Sequence, residues 1–348
     1  MSIVQLFGKF KQFMKKLFSN WKTRYRLSIK TEENHEEKYS FILTPQRIFV
    51  IGGTAAIVLI ALTAIIISVT PLKYYIPGYT TLEEHKQQFE QYGYSVQLQK
   101  ADLKGYDGTI LKSTNIIASQ KLKANSQKPE ARIFICAHWD SRPWADNDPD
   151  EANWRKPVMA ANDGASGVAV MLELARLLQQ NDSARMAVDF ICFDAEDWGI
   201  PQWENDVDGD SWALGAQYWA NSQEPKAKSY QYGILLDMVG GQGAKFYREG
   251  FSLKYAHNIV ERVWQAANTA GYASIFPYLD GGYVTDDHVP VNEKAGIPCI
   301  DIINHYPDCE QSSFGPTWHT VNDDMQHIDK NTLKAVGQTL VQLIYSGD

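Results

Sequence analysis

Phe190-Ile191-Cys192-Phe193-Asp194-Ala195-Glu196-Asp197-Trp198-Gly199 sets an apolar run directly before the adjacent carboxylates Glu196 and Asp197. The run reads as a buried strand. At the C-terminal lip of a buried parallel strand, side chains point into the crevice where ligands bind. Neighbours on an extended segment point to opposite sides. Asp197 can therefore ligate a cation while Glu196 faces a substrate and moves a proton. The rest of the chain must then supply further ligands.

Four other segments do so. Ile133–Ala137 runs into His138-Trp139-Asp140-Ser141. His138 and Asp140 are two apart and share a side of an extended segment, where a carboxylate can orient a ligating imidazole. Met159–Asn162 runs into Asp163-Gly164-Ala165-Ser166-Gly167, whose small residues let a helix start tightly beside Asp163. Leu235-Leu236 runs into Asp237, and Trp318-His319-Thr320 precedes Asp323 and Asp324. A lone histidine or an Asp before Gly is ordinarily a surface or turn feature. Together they form nitrogen and carboxylate donors on one lip, a set that suits Zn2+ and would be costly to bury without a cation.

The elements between these segments alternate. Helices are expected at about 81–92, 164–180, 211–220, 252–270 and 328–345. Strands are expected at 94–101, 115–119, 132–137, 186–194, 233–239 and 297–303. Strands interleaved with helices predict an α/β domain with a mixed, largely parallel central sheet flanked by helices.

The N-terminal part differs in kind. Residues 1–47 hold ten Lys/Arg and four Glu, a balance of +6, although the net charge over all 348 residues is −8. Apolar residues at helical spacing over 3–21, with Lys9, Lys11, Lys15 and Lys16 among them, predict a basic amphipathic helix on an anionic membrane face. Ile48 to Val69 contains no charge over 22 residues, enough to span ~30 Å of hydrocarbon at ~1.5 Å per residue. The expected organisation is a basic cytoplasmic segment (1–47), a transmembrane anchor (48–69), a linker (70–80) and a zinc-dependent catalytic domain (81–348). By the positive-inside rule the catalytic domain is extracytoplasmic, or periplasmic in a Gram-negative cell. The remainder carries 23 basic and 37 acidic residues, a balance of −14, which argues against a nucleic-acid surface. Cys136, Cys192, Cys299 and Cys309 form no CxxC pattern and read as small buried hydrophobes. Asp206-Val207-Asp208-Gly209-Asp210 lacks the turn glycine and closing Glu of a calcium loop, so it reads as a solvated loop.

His138-Trp139-Asp140-Ser141, Asn162 to Gly167, Glu196-Asp197, Asp237 and Trp318-His319-Thr320 resemble, in that order, the M28 zinc metallopeptidase family. Asp286-Asp287-His288, Trp318 before His319, and Asp194 to Gly199 are similar to its glutaminyl-peptide cyclotransferase branch, in its bacterial, animal-like form. The resemblance covers roughly residues 75–346. It implies one zinc on Asp163, Asp197 and His319, with Glu196 as general acid/base and Asp237 and Asp286 in its hydrogen-bond network. Trp198, Trp203 and Trp318 would wall the substrate pocket. The implied activity converts the N-terminal Gln of peptides or proteins to pyroglutamate. In dinuclear aminopeptidases of the family, His138 and Asp237 would hold a second metal bridged by Asp163. A metalloaminopeptidase is thus an alternative, and an inactive M28-like binding module tethered to the membrane a third. Three positions depart from the animal pattern: Asp301 replaces a histidine, and Ala137 and Val168 replace a cysteine pair.

Overall fold

The computed structural model describes residues 21–30, 37–69, 82–121, 131–181, 184–204, 211–222 and 229–346; side chains 38, 60 and 63–69 fall outside that set. Residues 3–20 of the expected amphipathic helix, the linker at 70–80 and the acidic loop at 206–210 also fall outside it. The protein forms two compact units, Met1–Ile76 and Pro77–Asp348.

The first unit contains a hairpin that periodicity did not reveal. β1 (Tyr25–Lys30) pairs antiparallel with β2 (Glu37–Leu43), and α1 (Pro45–Val69) follows. Expected residues 48–69 lie within α1, where no charge follows Arg47. Among the described residues, however, no helix is long and apolar enough to cross a membrane, so the anchor is not shown by the structure.

The second unit is a mixed α/β layered domain. α2 (Leu82–Gln91) precedes β3 (Tyr94–Lys104), β4 (Ile110–Gln120) and β5 (Ala131–His138). Then come α3 (Ala165–Gln180), β6 (Met186–Phe193), α4 (Leu214–Asn221) and β7 (Gly233–Asp237). β8 (Lys245–Phe246), α5 (Gly250–Thr269), β9 (Cys299–His305) and α6 (Lys330–Ser346) complete it. The seven strands lie in the order β3-β4-β6-β5-β7-β9-β8. The inner four are parallel, whereas the β3–β4, β4–β6 and β8–β9 ladders are antiparallel. "Largely parallel" therefore holds for the centre only. The β3–β4 hairpin joins the sheet through β4, and the two-residue β8 pairs antiparallel with β9, so both edges run against the parallel centre.

Alternation builds two cores. Ile133, Ile135, Val188, Phe190, Ile234 and Leu236 face α3, α5 and α6 in one cluster. Phe134, Cys136, Ile191, Phe193 and Leu235 face α4 in the other. Every residue of β6 is buried, as two covered faces require. Cys136, Cys192 and Cys299 are buried free thiols, and Cys309 is a half-buried one. β6, β5 and β7 are adjacent, so Glu196, His138 and Asp237 leave the same edge of the sheet.

Candidate metal centre and active site

Small residues bring α3 against the strand ends. Gly164 takes φ +102°, and a Cβ there would stand 2.8 Å from the Asp140 carbonyl oxygen. A Cβ on Gly167 would lie 2.2 Å from the Leu236 carbonyl oxygen. The helix start is then tied to β7: Ser166 Oγ donates to Asn162 O (2.6 Å) and accepts from Val239 N (2.9 Å), and Asn162 Oδ1 accepts from Gly240 N (2.8 Å). Asp323 accepts from the backbone N–H groups of Asn162 and Asp163 at 2.8 and 3.0 Å. Asp163 is thereby aimed at the lip from two directions.

Asp140 does a similar task at β6. Its two oxygens accept from Glu196 N and Asp197 N, each at 3.1 Å, while Oδ1 lies 3.4 Å from His138 Nδ1. One carboxylate orients the imidazole, as the spacing predicted, and also fixes the Glu196-Asp197 pair. Ala195, Met238 and His319 hold left-handed φ of 54°, 48° and 53°. Each stands at, or next to, a site residue, and such conformations cost of order 1–3 kcal/mol unless the surroundings enforce them.

Two groups of ligand-type atoms result: His138, Asp163 and Asp237, and Asp163, Asp197 and His319, the atoms of each group lying within 4.8 Å of one another. All five of these residues are buried, as are the expected Glu196 and Asp286. The two groups differ. His138 Nε2 is hydrogen-bonded to Asp163 Oδ1 (3.0 Å) and Asp237 Oδ1 (3.2 Å). In the other, His319 Nε2 lies 3.3 Å from Asp197 Oδ1 and 3.5 Å from Asp163 Oδ2, and Asp163 Oδ2 and Asp197 Oδ2 are buried with no hydrogen-bond partner among the described residues. Orphaned carboxylate oxygens beside an imidazole fit a divalent cation such as Zn2+, which would satisfy them.

The electrostatics reflect packed acids. Burial, and then Asp197, push the Glu196 carboxyl well above its ordinary value; Asp286 and Asp287 add to this and His138 opposes it. Burial and Asp237 raise Asp286 to about 7. Asp237 itself is raised to about 6, by burial first and by Asp163 and Asp197, against its hydrogen bond to His138. Burial alone would lower His319, but Asp197 and Asp146 outweigh it and bring it to about 9. Asp286 acts on Glu196 through charge; the hydrogen bond it is seen to make accepts the Asp287 N–H at 2.5 Å. Asp301 is fully buried with both oxygens unpartnered among the described residues.

The tryptophans separate. Trp318 stacks on His319 with ring centroids 3.8 Å apart, and Trp212 stacks on it at 6.2 Å. Trp198 and Trp203 instead meet Trp144, at 5.1 and 5.8 Å. Trp203 and Trp144 line a cavity of about 410 Å3 with Tyr106, Asp107, Pro143, Arg155 and Glu204. No metal-cluster residue lines that cavity, whereas Trp318 packs directly on the cluster residue His319.

Arg142 and Asp146 join the site without having stood out in the sequence. Arg142 Nε and Nη2 donate to the two Asp146 oxygens at 3.0 and 2.7 Å. Its Nη1 reaches Asp197 O (3.1 Å), Asp197 Oδ1 (3.3 Å) and Gly199 O (3.1 Å). Asp146 Oδ1 lies 3.5 Å from His319 Nδ1. The i,i+4 spacing of Arg142 and Asp146 was the available signal, but in a loop it carries no helical meaning.

The model for peptidase family M28 matches residues 115–344. Aminopeptidase YwaD of Bacillus subtilis (strain 168) is 30% identical over 256 residues, 72% of this chain and 48% of that protein, so the chain spans about half the length of this relative. The crystal structure of Bacteroides thetaiotaomicron glutaminyl cyclase bound to N-acetylhistamine is 47% identical, with TM-score 0.70, covering 76% of this chain and 87% of that one. Porphyromonas gingivalis glutaminyl cyclase is 43% identical, with TM-score 0.69 and coverage of 79% and 93%. With about two thirds of its length, residues 115–344, under the family model, the chain belongs to peptidase family M28.

Proposed function

We propose that the protein is a membrane-anchored, zinc-dependent glutaminyl-peptide cyclotransferase that converts the N-terminal Gln of peptides or proteins to pyroglutamate and releases ammonia. The observation that carries this is the 47% identity, over 76% of this chain, to a glutaminyl cyclase of known structure. The buried trio Asp163, Asp197 and His319 supports it as a place for one cation.

Zinc held by Asp163, Asp197 and His319 would supply Lewis-acid polarisation of a carbonyl oxygen. The protein's own residues do the rest. The substrate's α-amine attacks the γ-carbon of the same residue, so little entropy remains to be lost. Glu196 takes a proton from that amine as the new C–N bond forms. It returns the proton to the departing ammonia as the bond between the γ-carbon and the amide nitrogen breaks. A carboxyl raised by burial beside Asp197 is a better base than an exposed Glu. Trp318, packed on His319, shields the reacting carbon from water, which would otherwise divert cyclisation to hydrolysis.

The anchor is residues 48–69, with the basic segment 1–47 cytoplasmic and the catalytic domain outside. It is supported by the uncharged sequence after Arg47 and by the Lys/Arg excess ahead of it. The runner-up is an M28 aminopeptidase, favoured by retention of His138 and Asp237 and by the 30%-identical Bacillus relative. Incubating purified full-length protein and zinc with a Gln-initiated peptide separates them. Loss of one ammonia from the peptide, with one zinc per protein molecule, is expected. Release of free glutamine with two zinc ions per molecule establishes the peptidase. Absence of both reactions, with a Glu196→Gln variant retaining full cellular effect, leaves the binding module.

A further inference from the structure

We propose that the hairpin of β1 and β2 lies on an anionic bilayer surface through one apolar face, beside the anchor helix. This rests on the anchor reading above and goes beyond it. Register pairs Tyr25 with Leu43, Leu27 with Phe41 and Ile29 with Tyr39. Alternate residues of a strand and their direct cross-strand partners share a face, so these six side chains form one surface. Tyr25, Leu27, Ile29, Tyr39 and Phe41 are 51–62% exposed. The other face carries Arg26, Ser28, Ser40 and the Lys30–Glu37 pair, with Ile42 among them. A two-stranded sheet is marginal by itself in water, and an apolar face this contiguous marks a contact.

Two observations choose the bilayer as that contact. The hairpin is fastened to the start of α1: Gln46 N donates to Trp21 O (3.2 Å), the Trp21 and Phe49 rings lie 5.5 Å apart, and Arg47 Nη1 reaches Ile42 O (3.5 Å). The apolar face therefore begins where the uncharged helix begins. Lys22, Arg24 and Arg47 stand at its helix end and Arg26 and Lys30 on its opposite face, within residues 21–47, which hold six basic residues and four Glu. A second copy would bring like charges together, whereas anionic headgroups offset them. Tyr25, Tyr39 and Trp21 are the residue types that settle at headgroup level.

The test uses the full-length protein in lipid nanodiscs, with Cys309→Ser so that the remaining native cysteines are buried. Single cysteines at Leu27, Phe41, Ser28, Ser40 and Leu59 receive an environment-sensitive dye, and bromolipid quenching is read in discs with and without phosphatidylglycerol. An unchanged melting curve certifies each labelled variant as folded. Labels at 27 and 41 should be quenched several-fold more than those at 28 and 40, only in anionic discs, and high salt or Arg24→Glu with Arg26→Glu should abolish the difference. Equal quenching on both faces, or no dependence on anionic lipid, overturns the proposal while a quenched label at 59 leaves the anchor standing. Shielding that vanishes with one molecule per disc overturns it in favour of a self-association face. An unquenched label at 59 refutes the anchor itself, and the hairpin proposal falls with it.

Discussion

Replacing Arg142 by Met should destabilise the catalytic domain more than any single change on its surface. Arg142 and Asp146 are each 1% exposed. The guanidinium makes two bonds to Asp146 and three to the Asp197–Gly199 backbone and carboxylate. Met matches much of its volume but strands a buried carboxylate, and breaking one side of a buried pair costs ~3–5 kcal/mol. For a domain of this size, ~2–4 °C per kcal/mol converts that to a loss of roughly 6–20 °C in Tm. Burial alone would raise the Asp146 carboxyl, yet His319 and Arg142 hold it well below the usual carboxylate range. A depressed carboxylate contributes stability that is present above its unfolded value of ~4 and lost as pH falls through the folded one. Arg142→Met should thus also acid-denature at higher pH than the parent. Denaturant unfolding of the parent, Arg142→Met, Asp146→Leu and the double variant measures the coupling, which should exceed ~1 kcal/mol. An Arg142→Met variant within ~1 kcal/mol of the parent, or strictly additive singles, refutes this account of the loop.

Glu196→Gln should lower kcat by ~100- to 10,000-fold while bound zinc, measured by atomic absorption, stays at the parent level, since Glu196 is not among the ligand-type atoms of either cluster. Gly167→Ala places a methyl 2.2 Å from Leu236 O, so differential scanning should show a loss of ~1–3 kcal/mol together with weaker zinc binding, because Asp163 sits at that helix start. In metal-stripped protein, Asp286 at about 7 and His319 at about 9 are both raised above their unfolded values. Their contribution is complete below the unfolded values and is lost as pH rises, through about 4–7 for the carboxyl and 6.5–9 for the imidazole. The apo-protein should therefore melt at steadily lower temperature from pH 5 to 9, and zinc loading should remove that slope; an apo-protein more stable at pH 9 than at pH 5 contradicts the charge assignment.

Residue type and spacing carried a large part of this protein. Apolar runs of strand length ending in His138, Glu196-Asp197 and Asp237 announced buried strands with chemistry at their ends. Burial on both faces leaves few other places for such runs, and the small residues after Asp163 announced a helix packed against backbone. The exposed hairpin before α1 was not legible, because its alternation is short and interrupted by the charged residues of a surface segment. Nor was the antiparallel pairing at the sheet edges, which follows from which strands become neighbours and leaves no mark on one strand's composition.

What only the tertiary structure decided is which of several candidate acids share charge and which share hydrogen bonds. Asp140 serves two partners because β5 and β6 are adjacent. Asp323 holds Asp163 across 160 residues of sequence. Arg142, an ordinary loop residue in sequence, is the buried cation beneath Asp197. The ligand types were local properties, readable one residue at a time. Their gathering into two buried trios that share Asp163 depends on helix and strand packing that no local pattern encodes.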